Sequence, residues 1–113
     1  MKKIYLDGNS LTLEQFMEVS RYNAQVEIAP HAAEKLLKSR ASAATLVAEE
    51  RVAYGITTGF GKFSNVVIKQ DQVEKLQDSL IRSHACGVGR HFEQEVVRGI
   101  ILLRLNALVK GYS

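Results

Sequence analysis

The sequence has 113 residues, 46% of them apolar and 24% charged, with a net charge of +3 and a pI near 9.1. That is at most one domain of ordinary globular composition, and its scattered Lys and Arg lack the interleaved aromatics of a nucleic-acid footprint. The single cysteine, Cys86, excludes an internal disulfide, "MKKIYLDGNS" lacks the apolar segment of a signal peptide, and "GIILL" between Arg98 and Arg104 is too short to span a membrane; the chain reads as soluble and cytoplasmic, with no nucleic-acid or membrane partner.

In chain order, "KIYLDG" predicts a short strand entering a turn, with Ile4 and Leu6 on one face and Asp7-Gly8 as the turn pair. A helix follows in "NSLTLEQFMEVSRY". Thr12 as N-cap places Gln15 at the position that completes a capping box, and Leu13, Phe16, Met17 and Ser20 fall on one face. Pro30 suits the first turn of a long helix ending near Glu50, with Ala33, Leu36, Leu37, Arg40, Ala44 and Val47 at helical spacing. "YGITTGFGKFS" comes next, too rich in glycine for a helix. "QDQVEKLQDSLIRSHACG" predicts a third helix, with Val73, Leu76, Leu80 and Ser83/His84 following the 3-4 step and Gly87 and Gly89 ending it. "FEQEVVRGIILLRLNALVKGYS" predicts a fourth, with acidic residues in its first turn and Lys110-Gly111 at its end. Apolar residues cover nearly all of that helix. Such a helix is one buried on every side, so the expectation is packing in an oligomer or in a larger protein.

The glycine loop fails the phosphate-binding patterns. Gly61-Lys62 is followed by Phe63, and position 56 is Ile. Metal sites fare no better: His84 and Cys86 are two apart, and His91-Phe92-Glu93 lacks the paired cysteines of the zinc deaminases. Cys86 reads as a small buried apolar residue, and His31 and His91 as exposed residues at helix starts. What survives is Tyr54 at the head of the loop and His84 on the last turn of the third helix. Gly55, Gly59 and Gly61 allow close backbone approach there. A phenol ionises at about pH 10, so a tyrosine base needs donors or cations around its oxygen.

The strings "YGITTGFGKFSNVVI", "LQDSLIRSHACGVG" and "RGIILLRLNALVKGYS", in this order, resemble the N-terminal part of the aromatic amino-acid ammonia-lyases, and among them the histidine ammonia-lyases. The opening "IYLDGNSLTLEQF" is similar too, so the resemblance covers the chain. It implies a mainly α fold, the small helical N-terminal domain of the fumarase/aspartase-like ammonia-lyase fold, with a short N-terminal strand and the glycine-rich loop. Residues 1–113 would be that single domain, truncated before the central helical bundle. It implies Tyr54 as the base that removes the substrate's β-proton, and Ser83, His84 and Gly61 as substrate-binding residues. Ser83-His84 resembles the pair of the histidine type. The family's methylideneimidazolone forms autocatalytically from an Ala-Ser-Gly. None is present here, and Ala41-Ser42-Ala43 lacks the glycine; the group belongs outside this chain, which needs no metal.

The implied reaction is elimination of ammonia from L-histidine to trans-urocanate, the first step of histidine degradation, in a homotetramer. The partners are the amino-acid substrate and the remainder of the lyase chain, and the fragment alone is expected to be inactive. The alternatives are a fragment of a tyrosine or phenylalanine ammonia-lyase, a fragment of a 2,3-aminomutase, and a free-standing helical interaction module whose fourth helix is its partner surface.

Overall fold

A computed structural model describes residues 2–63 and 66–112. The elements are β1 (Ile4–Leu6), α1 (Leu13–Tyr22), β2 (Val26–Ile28), α2 (Pro30–Ala48), α3 (Val73–His84) and α4 (Gln94–Leu108), with short 3-10 turns at Gly61–Phe63 and Gln70–Gln72. They form two compact units, one from Met1–Ser39 with Arg90–Ser113 and the other from Arg40–Gly89.

The first unit is built around a β-α-β segment. β1 buries Ile4 and Leu6 and exposes Tyr5, the alternation expected of a strand with one face on a core. The chain then turns at Asp7. The Asp7 carboxylate accepts the Asn9 and Ser10 backbone N–H groups, both at 2.8 Å, and the Ser10 hydroxyl at 2.7 Å. α1 starts at Thr12, whose hydroxyl accepts the Gln15 N–H while the Gln15 side chain accepts the Thr12 N–H, the capping box expected from sequence. The buried residues of α1 are Val19 and Ser20, with Phe16 and Met17 partly covered. Leu13 departs from the expected stripe and is exposed, because it sits in the first turn, ahead of the packed part of the helix. Asn23 closes α1 in the left-handed region at φ 57°, which asparagine tolerates.

β2 is a strand that sequence reading missed. It pairs parallel with β1 in the register Ile4–Val26, Tyr5–Glu27 and Leu6–Ile28. Three residues, one of them Glu27, give too short an alternation to see. α4 covers the same core, packing against α1, with the Phe16 ring over Gly99; a Cβ there would lie 2.7 Å from Phe16 Cζ. Arg21 pairs with Glu95 at 2.9 Å, and the Arg98 Nε–H donates to the Val19 carbonyl. The buried cluster is Ile4, Leu6, Val19, Ala24, Ala29, Ala32, Leu102 and Val109. Only part of α4 faces it. Ile100, Ile101 and Leu103 are each more than half exposed, so this chain leaves most of the apolar surface of that helix uncovered.

The Asp7 turn carries a pH dependence. The Asn9 N–H, followed by the Ser10 hydroxyl and N–H, holds the carboxyl down to about 2 from its ordinary 3.8. A carboxyl with a lowered folded-state value stabilises the fold above its ordinary value and loses that contribution as pH falls towards 2. The expected result is that Asp7→Ala is less stable than wild type at pH 6 in urea titrations, and that the gap closes between about pH 4 and pH 2. A gap unchanged at pH 2 would contradict this role.

The second unit holds the end of α2, the loop and α3. α2 starts at Pro30 as expected and stops at Ala48. Glu50 takes φ 55°, and the Arg51 N–H bonds back to Leu46 and the Glu50 N–H to Val47, so a backbone cap closes the helix without glycine. On α2, Ala32 rather than Ala33 is the buried residue, and Leu37 is exposed. α3 begins at Val73 and ends at His84, short of Gly87, because Ala85 leaves helical backbone at ψ 73°. Residues 85–89 are all exposed, so Cys86 is an exposed thiol, not the buried residue expected from sequence. His31 and His91 are exposed. Among the described residues, no helix is long and apolar enough to cross a membrane, and no three of His, Cys, Asp and Glu gather as a metal site.

Candidate functional site

The loop after α2 is held by two buried threonines. The Thr57 hydroxyl accepts the Ala53 N–H at 2.8 Å and donates to the Arg51 carbonyl at 2.6 Å. The Thr58 hydroxyl accepts the Gly55 N–H at 3.1 Å and donates to the Gly59 carbonyl at 2.9 Å. Each hydroxyl thus uses both its donor and an acceptor site on backbone that no helix or sheet satisfies. Backbone pairing continues the closure: the Ile68 N–H donates to the Thr57 carbonyl, the Gly59 N–H to the Val66 carbonyl, and Thr58 bridges Val67. The Gln77 amide on α3 donates to the Gly55 carbonyl at 3.0 Å, which ties the loop to that helix. Sequence reading singled out neither threonine nor Gln77. The signal for the threonines was present in two adjacent hydroxyl residues between glycines.

Tyr54 rides on this frame. Its ring meets Phe60 edge to face, with centroids 5.7 Å apart and planes at 76°. The phenol oxygen accepts the Gly61 N–H at 3.1 Å. Gly61 has φ 52°, where a side chain would be strained, and that conformation presents its N–H to a residue seven positions back. The tyrosine is otherwise open to solvent. A backbone N–H on the phenol oxygen fixes the ring's rotation and is placed to stabilise negative charge on that oxygen.

His84 and Ser83 lie at the end of α3. They supply polar atoms to a groove of about 490 Å³ whose apolar walls include Phe60 and Phe63 of the loop and Leu76 and Leu80 of α3. The groove therefore joins the loop to the histidine, while Tyr54 and Gly61 are linked to each other beside it. The Ser83 hydroxyl donates to the Leu80 carbonyl at 2.8 Å, and His84 Nδ1 lies 2.9 Å from the same carbonyl and 3.0 Å from Ser83 Oγ. A second groove of about 700 Å³, lined by Val47, Glu50, Thr57 and residues 67–71, contains none of the expected site residues.

Residues 11–113 match the family model described as aromatic amino acid lyase. The chain belongs to that family. It is 55% identical over all 113 residues to the histidine ammonia-lyase of Alkaliphilus metalliredigens, and 50% identical to that of Caldanaerobacter subterraneus. In each case it spans 22% of the relative's length. Among solved structures, histidine ammonia-lyase from Trypanosoma cruzi matches 97% of the chain with a TM-score of 0.85 at 36% identity, and the chain covers 21% of that protein. Tyrosine aminomutase from Streptomyces globisporus matches the same share with a TM-score of 0.91 at 33% identity, again over 21% of that protein. The mainly helical fold with its short strands is thus the family's.

Proposed function

We propose that this chain is the N-terminal domain of a histidine ammonia-lyase, carrying the base and part of the substrate site for elimination of ammonia from L-histidine to trans-urocanate. The observation that supports this most is the 55% identity to a histidine ammonia-lyase along the entire chain. Lyases and aminomutases share this fold at similar TM-scores, so likeness of structure does not separate them. Among the solved structures the lyase and the aminomutase stand at 36% and 33% identity, and what favours the lyase reading is the 50–55% identity to curated histidine ammonia-lyases along the whole chain.

Tyr54 is the proposed base. Elimination breaks a Cβ–H bond and the Cα–N bond and forms a carbon–carbon double bond. The ionised phenolate oxygen takes the β-proton and becomes the phenol, the C–H electrons become the new π bond, and the nitrogen leaves as ammonia with the electron pair of the Cα–N bond. A β-proton beside an imidazole is barely acidic, so the base must be held in place before reaction. The Gly61 N–H and the Phe60 ring do that for Tyr54. Gly61, Ser83 and His84 are the proposed substrate contacts, with the apolar groove taking the ring.

The residues present do not supply the family's methylideneimidazolone. Ala41-Ser42-Ala43 lies within α2, where helical backbone and the lack of glycine prevent cyclisation. The group would come from an Ala-Ser-Gly in the remainder of the lyase chain, which is the proposed partner. A cytoplasmic homotetramer, with the exposed apolar surface of α4 covered by the rest of the assembly, completes the reading. The expected result for the purified 113-residue chain mixed with L-histidine is no rise in urocanate absorbance above a protein-free control. A chain-dependent rise would overturn the assignment of the electrophile to other residues.

A further inference from the structure

The three polar atoms at the end of α3 fix more than the position of a ring. The Leu80 carbonyl can only accept. At 2.9 Å from it, an unprotonated Nδ1 would set one lone pair against another, so Nδ1 carries the hydrogen of the neutral His84 ring. The Ser83 hydroxyl spends its own hydrogen on the same carbonyl at 2.8 Å. That turns its lone pairs to the ring, 3.0 Å from Nδ1, where they accept from the same N–H. Both neighbours therefore act on Nδ1 as acceptors, and Nε2 is left as the ring's acceptor.

We infer that Ser83 is a positioning residue that, with the Leu80 carbonyl, holds His84 as the Nδ1–H tautomer, so that the groove offers Nε2 as a proton acceptor. An acceptor at this groove suits an aromatic ring that carries an N–H donor, and it gives no hydrogen bond to a plain phenyl ring. The inference deepens the lyase reading and rests on it for the substrate. The tautomer itself is a property of the free chain. Exposed histidine without such partners favours the opposite, Nε2–H form, so the effect is measurable.

The experiment is nitrogen-15 NMR of the full 113-residue chain, labelled at histidine, at a pH where the ring is neutral. His84→Gln assigns the signals, and exposed His31 and His91 serve as references. The expected result is a protonated-type Nδ1 and an unprotonated-type Nε2 for His84. Ser83→Ala is expected to move the tautomer ratio about fivefold towards Nε2–H, the effect of losing one ordinary hydrogen bond, and Ser83→Thr to restore it. A wild-type His84 that is mainly Nε2–H would overturn the inference. So would a Ser83→Ala chain with the wild-type ratio, since the carbonyl alone would then set the tautomer. The wild-type spectrum decides even if a variant folds poorly. Because no substrate is present, failure here leaves the lyase reading standing, and absence of lyase activity leaves the tautomer standing.

Discussion

Replacing Tyr54 by phenylalanine is expected to lower the rate of ammonia elimination by two to four orders of magnitude, roughly the contribution of a positioned general base. The setting for the measurement is a chimera in which this chain replaces the matching segment of the Alkaliphilus metalliredigens histidine ammonia-lyase, to which it is 55% identical. Phenylalanine keeps the ring that packs edge to face on Phe60 and removes only the oxygen that meets Gly61. The loop frame is carried by Thr57, Thr58 and Gln77 and does not depend on that oxygen. The loss therefore falls on kcat with KM little changed, as for a group that acts in the transition state. A fall of less than about tenfold would place the base elsewhere.

The largest expected effect on stability is at Leu102. Its side chain is among the largest fully buried ones, at 2% exposure, and it sits in the cluster with Ile4, Leu6 and Val19. Leu102→Ala removes buried methyl groups and leaves a cavity that two strands and α1 fill only in part. The cost is about 2–5 kcal/mol. For a chain this small that is a large share of the total, since domains have only about 5–15 kcal/mol to lose. Urea unfolding followed by circular dichroism is expected to show a lower midpoint at unchanged slope. Leu103, next in sequence but more than half exposed, serves as the control, and Leu103→Ala is expected to cost far less. Equal losses at the two positions would mean that α4 does not face this core in the way described.

Much of the first unit was legible in the sequence because its signals are local. Thr12 and Gln15 make a capping box from two side chains three residues apart, and Asp7-Gly8 makes a turn from one carboxylate. Pro30 marks a helix start through its own ring. What was not legible depends on partners distant in sequence. β2 exists because Val26–Ile28 lies beside Ile4–Leu6, and nothing in "VEI" announces that pairing. α2 stops at Ala48, close to the expected end near Glu50, but on a left-handed Glu50 where glycine is the usual sign, and α3 ends before its glycines, at Ala85. At the site, Tyr54, His84 and the loop glycines stood out by their places at the ends of rigid elements, while their roles, and Ser83 beside His84, came only with the resemblance. The two threonines were visible but unread, because a hydroxyl's backbone partners depend on how the loop closes. Gln77 gave no signal at all, being one polar residue among many on an exposed helix face.

The most direct test of the assignment to histidine elimination is kcat/KM of the chimera for L-histidine, followed by urocanate absorbance, with L-tyrosine and L-phenylalanine as competing substrates. The expected result is a value for histidine within about tenfold of the parent enzyme and no product from the other two. A folded chimera that makes no urocanate, or that turns over tyrosine or phenylalanine in preference to histidine, would contradict it.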